Sequence, residues 1–192
     1  GSRFEKKARS DGGWGNNHLI LLAQNFKGYK NLMKLVTAGY LEGFYYRPRI
    51  DMDLLREYNE GLICMSACLK GVVPEKMLKG GYQGARDHAL KFSEIFQDRY
   101  YLAIQNHGIA EEKQNIKNMK RLSQDLNLPL VCTNDAHYAK KDHWEAHDIH
   151  ICLGTGKERS DPNRLRYATP EFYFKSQDEM YKLFKEFPQA IE

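Results

Sequence analysis

A chain of 192 residues with 42% hydrophobic and 12% aromatic content can bury one core, and this composition excludes a disordered segment. No apolar run approaches the roughly 20 residues of a membrane span, and Arg3, Lys6 and Lys7 precede no apolar stretch of the kind that makes a secretory signal. The formal charge of +4 suits an acidic partner such as nucleic acid without selecting one.

Residues 1–16 are polar and charged, begin without Met, and are expected to be the edge of something longer; the chain also stops in mid-pattern. Strand and helix then alternate over 17–153. His18–Ala23 is a near-continuous apolar run that suits a strand covered on both faces. An amphipathic helix follows from Gly28 to about Leu41, with Leu32, Leu35, Val36 and Tyr40 on one face. Gly61–Met65 is the second strand, and Tyr82, Ala85, Ala89, Phe92 and Phe96 recur at helical spacing after it. Tyr100–Ile104 is the third strand. Ile109, Ile116, Met119, Leu122 and Leu126 mark a helix that Asn127 and Pro129 end. Leu130–Thr133 is the fourth strand, and a helix from about His143 to Leu153 stops near Gly154, ahead of a C-terminal extension over 154–192. This alternation predicts an α/β fold of parallel βα units, in a barrel or a doubly wound sheet.

In such folds chemistry gathers where strands end. The second strand runs into Ser66–Gly71, the third into Gln105–Gly108 and the fourth into Asn134–Tyr138, bringing Cys68, His107, Asp135 and His137 to strand ends. Asp135 and His137 are two apart, so extended backbone would turn both to one side. A carboxylate and an imidazole there suit zinc, manganese or iron, or else a helix-capping Asp beside a packed His. Cys68 reads equally as a small core residue, His107 as part of a strand-to-helix turn, and His18 as a hydrogen-bonded structural residue. Cys64, Cys68, Cys132 and Cys152 form no close pair and read as reduced thiols of a cytoplasmic protein. His143, His147 and His150 share a helix face, but no Glu stands where a metalloprotease helix needs one, so they read as a rim with one packed imidazole.

Several ordered strings carry a resemblance: Asn17–Ala23, Tyr46–Asp51, Ser66–Gly71, Gln105–Gly108, Thr133–Tyr138, Glu145–Ile149, and Thr155–Lys157 followed by Arg164–Arg166. Together they resemble the PHP domain of the bacterial replicative DNA polymerase III alpha subunit over essentially the whole chain. The resemblance implies part of a distorted (βα)7 TIM-like barrel, with 154–192 leading toward a polymerase core. It implies His18, Cys68, Asp135 and His137 as ligands of a divalent metal, zinc or manganese. His107, Arg47, Arg49 and Lys70 are then candidate rim or phosphate contacts, as are Arg164 and Arg166. The family's remaining ligands come from an HxH motif, an Asp, a His in a TDHG-like turn and a Glu, in segments that do not occur here. Ala103 stands where related chains often carry Glu.

The implied activity is that of a metal-dependent phosphoesterase in a longer protein, a 3′–5′ proofreading exonuclease or a pyrophosphatase, with this chain alone inert. The implied partners are DNA and other polymerase III holoenzyme subunits. The alternative is a structural module that docks the proofreading subunit and supports the polymerase core. A free-standing phosphoesterase of the histidinol-phosphatase kind is a third reading.

Overall fold

The computed structural model describes residues 2–6 and 16–191, so most of the polar 1–16 segment lies outside the described residues. The chain divides into two compact units, Gly1–Leu102 with Arg121–Pro129, and Ala103–Lys120 with Leu130–Glu192.

The first unit begins with β1 (Ile20–Ala23) and α1 (Phe26–Leu41). Asn25 caps α1, its side-chain oxygen accepting from the Gly28 N–H at 3.0 Å. The buried face of α1 is Gly28, Asn31, Leu35 and Gly39, while Val36 and Tyr40 are 52% and 57% exposed. The expected apolar face is therefore displaced around the helix. The reason is close backbone approach: a Cβ on Gly28 would stand 1.8 Å from the Gly61 carbonyl oxygen, so the smallest side chains must face inward.

A short helix, α2 (Met52–Tyr58), follows before β2 (Leu62–Met65). Asp51 caps it by accepting from the Leu54 N–H at 3.2 Å, which turns Leu54 and Leu55 into the core. β1 pairs with β2 antiparallel, from Ile20 opposite Met65 to Ala23 opposite Leu62. This corrects the all-parallel expectation. One helix between strands returns the chain to the same edge and gives a parallel pair; here the connection carries a second helix, and β2 enters from the other end. β1 is also only half covered, with Leu22 47% exposed.

α3 (Val72–Phe96) breaks its helical backbone at Gly81, φ 74°, and leads to β3 (Tyr100–Ile104), which pairs with β2 in parallel. Leu62, Cys64, Phe96, Tyr100 and Leu102 are fully buried, and Phe92 stacks on Tyr100 with ring centroids 5.5 Å apart. Each of the Leu62, Phe96 and Leu102 side chains removed from water contributes about 1.5–3 kcal/mol before conformational entropy is subtracted.

α4 (Ala110–Leu126) buries Glu112, Asn115, Met119 and Leu122, a face with two polar members. β4 (Leu130–Cys132) lies beside β3: the Leu102 N–H donates to the Pro129 carbonyl and the Thr133 N–H to the Ile104 carbonyl, a parallel progression. The strand order is β1-β2-β3-β4. The fold is thus mixed α/β, and among the described residues the four-stranded sheet is open; the partial (βα)7 barrel that the resemblance implied goes beyond it. The second unit continues with α5 (Trp144–Thr155), ended by left-handed Gly156, and α6 (Gln177–Leu183). A reciprocal capping box starts α6: Ser176 Oγ accepts from the Glu179 N–H and Glu179 Oε2 from the Ser176 N–H.

Candidate metal centre

The first unit brings His18 and Cys68 together, with His18 Nδ1 3.4 Å from Cys68 Sγ. The approach follows from a tight Ser66–Gly71 loop. Ala67 is left-handed at φ 63°, the Gly71 N–H donates to the Cys68 carbonyl at 2.7 Å, and a Cβ on Gly71 would lie 1.9 Å from the Ser66 carbonyl oxygen. The His18 N–H binds the Lys70 carbonyl at 3.0 Å, which aligns residue 18 beside Gly71. Asn17 holds the same carbonyl from its side chain at 3.3 Å and reaches the Glu75 carboxylate. His18 is exposed and Cys68 half-buried, so both donor atoms lie near solvent.

The other cysteines have different surroundings. All four thiols are free; Cys64 and Cys152 are buried. Burial raises the Cys64 thiol and pushes that of Cys132 up to about 12, so both stay protonated at neutral pH.

In the second unit the chain leaves β4 and turns at Asp135, φ 49°. The two side chains of the DxH motif therefore do not share a side through extended backbone. The turn itself brings them together, with His137 Nε2 3.4 Å from Asp135 Oδ1. The Tyr167 hydroxyl lies 3.1 and 3.2 Å from the two His137 ring nitrogens. Phe172 packs edge-on to His137, with ring centroids 5.7 Å apart. His147 from α5 packs against His137, Tyr138 and Tyr167, at centroid distances of 5.8, 5.1 and 5.2 Å. It is the packed imidazole of the α5 histidines. Burial and the neighbouring His137 and His150 lower its pKa, so its ring is neutral at physiological pH.

His107 belongs to a different environment. It is 1% exposed and stacks on Phe172 at 4.1 Å. Nδ1 lies 2.7 Å from Glu112 Oε1, Nε2 lies 2.6 Å from the Asn134 carbonyl oxygen, and its backbone N–H donates to Glu112 Oε2 at 2.6 Å. Both ring nitrogens face acceptors, so the imidazole donates twice and is held as a cation. Desolvation opposes that charge, but the Glu112 and Asn134 bonds outweigh it and raise the His107 pKa. The same contacts lower the Glu112 pKa against its own burial.

Of the candidate phosphate contacts, Arg49 spends its guanidinium on the backbone carbonyls of Gly43, Glu5 and Arg3, at 3.0, 3.1 and 3.2 Å. Arg164 is bidentate to Asp148 at 2.6 and 2.8 Å. Arg47, Lys70 and Arg166 are exposed. Sequence reasoning missed Glu112 and Tyr167. Glu112, five residues after His107 in the first turn of α4, carried a local signal; Tyr167, thirty residues from its partner, carried none.

The donor types fit divalent metals: imidazole with thiol suits zinc, and imidazole with carboxylate suits zinc or manganese. The donor number does not: each pair holds two, and among the described residues no group of three or more His, Cys, Asp or Glu could hold an ion.

The mixed α/β fold is consistent with the family comparison, in which the PHP domain matches residues 3–107. The chain belongs to the PHP domain family. It is 47% identical over 191 residues to the DNA polymerase III subunit alpha of Borreliella burgdorferi, covering 100% of this chain and 17% of that protein. It is 47% identical over 175 residues to the same subunit of Treponema pallidum, covering 91% of this chain and 15% of that protein. The Thermus aquaticus subunit is 38% identical over 185 residues, 96% of this chain and 15% of that protein. The chain thus spans about a sixth of the length of these relatives.

Proposed function

We propose that this chain is part of the PHP domain of a replicative DNA polymerase III alpha subunit and contributes His18, Cys68, Asp135 and His137 as ligands to divalent metal, zinc or manganese. The observation that carries this reading is that the four ligand-type side chains fall into two close pairs, each 3.4 Å apart. A metal bound there would polarise a phosphate and lower the pKa of a bound water. What the chain's own residues do is narrower. The Ser66–Gly71 loop sets Cys68 against His18, and Tyr167 with His147 fixes the His137 ring.

In the longer protein this supports a metal-dependent phosphoesterase, a 3′–5′ exonuclease or a pyrophosphatase, whose ligands come in part from sequence beyond this chain, within part of a (βα)7 barrel. DNA and other holoenzyme subunits are its partners and the cytoplasm its compartment. No described helix is long and apolar enough to cross a membrane. The second reading is a docking module for the proofreading subunit, favoured by the two-donor pairs.

Metal analysis after dialysis against zinc or manganese, beside exonuclease and pyrophosphatase assays, tests the first reading. The expected result for the 192-residue protein is at most one weakly held ion, reduced by Cys68→Ser or Asp135→Ala, and no activity. Metal uptake indifferent to both substitutions would sink the ligand assignment. A metal-stimulated nuclease lost in Asp135→Ala would overturn the inertness.

A further inference from the structure

A cleft of about 690 Å³ lies within the second unit, between the start of α5 and residues 159–169. Its walls are of two kinds. Trp144, 43% exposed, forms an aromatic wall with Tyr138, Tyr167 and the His147 ring.

The second wall is cationic, and its three arginines are not equivalent. Arg164 is 7% exposed at its side chain and bidentate to Asp148, so it is scaffold. Arg159 reaches Asp148 and Glu145 only at 3.5 Å, with its side chain 54% exposed. Arg166 is exposed and has no ion-pair partner within 4 Å among the described residues. Asp148 is shared, bidentate to Arg164 and within 3.5 Å of Arg159, so the lining sets three arginines against one carboxylate and carries more positive than negative charge. All of this lies outside residues 3–107, the span of the PHP domain match.

Exposed aromatic rings and cationic side chains lining one cleft fit a ligand that has both a flat aromatic face and a phosphate. We propose that this cleft binds single-stranded nucleic acid, a base stacking on Trp144 and the adjoining phosphate lying against Arg166 and Arg159. Stacking on an exposed ring is tolerant of sequence because every base offers a π-face, and the phosphate contact is salt-dependent through counterion release. Binding here requires no metal, so it stands or falls separately from the ligand assignment above.

The test is anisotropy titration of the 192-residue protein with a fluorescein-labelled oligothymidylate of about 12 nucleotides, in EDTA and over a range of salt. Binding should persist in EDTA and weaken as salt rises. Arg166→Gln should weaken it about tenfold and lower the salt slope by about one. Trp144→Ala should weaken it about tenfold with the slope unchanged, and Trp144→Phe should restore it. Circular dichroism melts separate lost binding from lost folding. The proposal is overturned if folded wild type does not bind, if both wall substitutions leave affinity unchanged, or if inorganic polyphosphate competes equally and Trp144→Ala has no effect, which would describe an anion patch only.

Discussion

His107 and His137 follow the ends of β3 and β4 and look alike as sequence, yet their environments are opposite. His107 is 1% exposed, with Glu112 on one ring nitrogen and the Asn134 carbonyl on the other. His137 is exposed and shares its ring with a tyrosine hydroxyl and a carboxylate at 3.4 Å. A buried imidazole with both nitrogens committed has nothing left for a ligand, and its charge works for the fold. An exposed one can exchange its neighbours for a metal or a phosphate at little cost. Burial and hydrogen-bond satisfaction, rather than position after a strand, separate a structural histidine from an available one.

The sharpest way to break this comparison is to remove one partner of the buried pair. Glu112→Ala leaves the His107 cation uncompensated in a site where both side chains are at most 5% exposed, and should destabilise the protein by about 3–5 kcal/mol. Urea unfolding measures it; a loss below about 1 kcal/mol would show that the pair does not act as a buried ion pair.

Next is the pH dependence. His107 has its folded pKa raised above 6.5, so its contribution is full below pH 6.5 and is lost as pH rises through the folded value. Glu112 has its folded pKa lowered below 4.5, so its contribution is full above pH 4.5 and is lost as pH falls through the folded value. The pair should therefore support the fold best between pH 4.5 and 6.5. Urea midpoints measured from acid to alkaline pH should fall on both sides of that window, and Glu112→Gln should flatten both limbs. Equal slopes in wild type and variant would refute the assignment.

The smallest effect is expected at the other histidine. His137→Ala should change stability by less than about 0.5 kcal/mol, as exposed substitutions do, while reducing metal uptake in the dialysis measurement. A stability loss as large as that of Glu112→Ala would erase the distinction between the two sites.

Much of the fold was legible locally. β2, β3 and β4 announced themselves as short apolar runs, and Ala85, Ala89, Phe92 and Phe96 are buried as their spacing required. Two helices went unread although both carried cap signals: Asp51 ahead of α2, and the Ser176 and Glu179 box ahead of α6. The buried face of α1 was misplaced because glycines and an asparagine line it, and hydrophobic periodicity does not register residues selected for lack of bulk. At the candidate site the donors were legible as residue types at strand ends. Their pairing was not, since His18 and Cys68 are fifty residues apart and Tyr167 lies thirty from His137.

The sequence by itself determined the α/β class, the positions of the strand ends and which side chains with donor atoms stand there, because periodicity and local chemistry are written over a few neighbouring residues. Only the tertiary structure decided that β1 runs against β2, that His107 is sealed onto Glu112, and that Asp148 is bidentate to Arg164 while, among the described residues, no carboxylate lies within 4 Å of Arg166. Strand direction, burial and the sharing of one carboxylate among several arginines depend on groups far apart along the chain, and only packing brings these together.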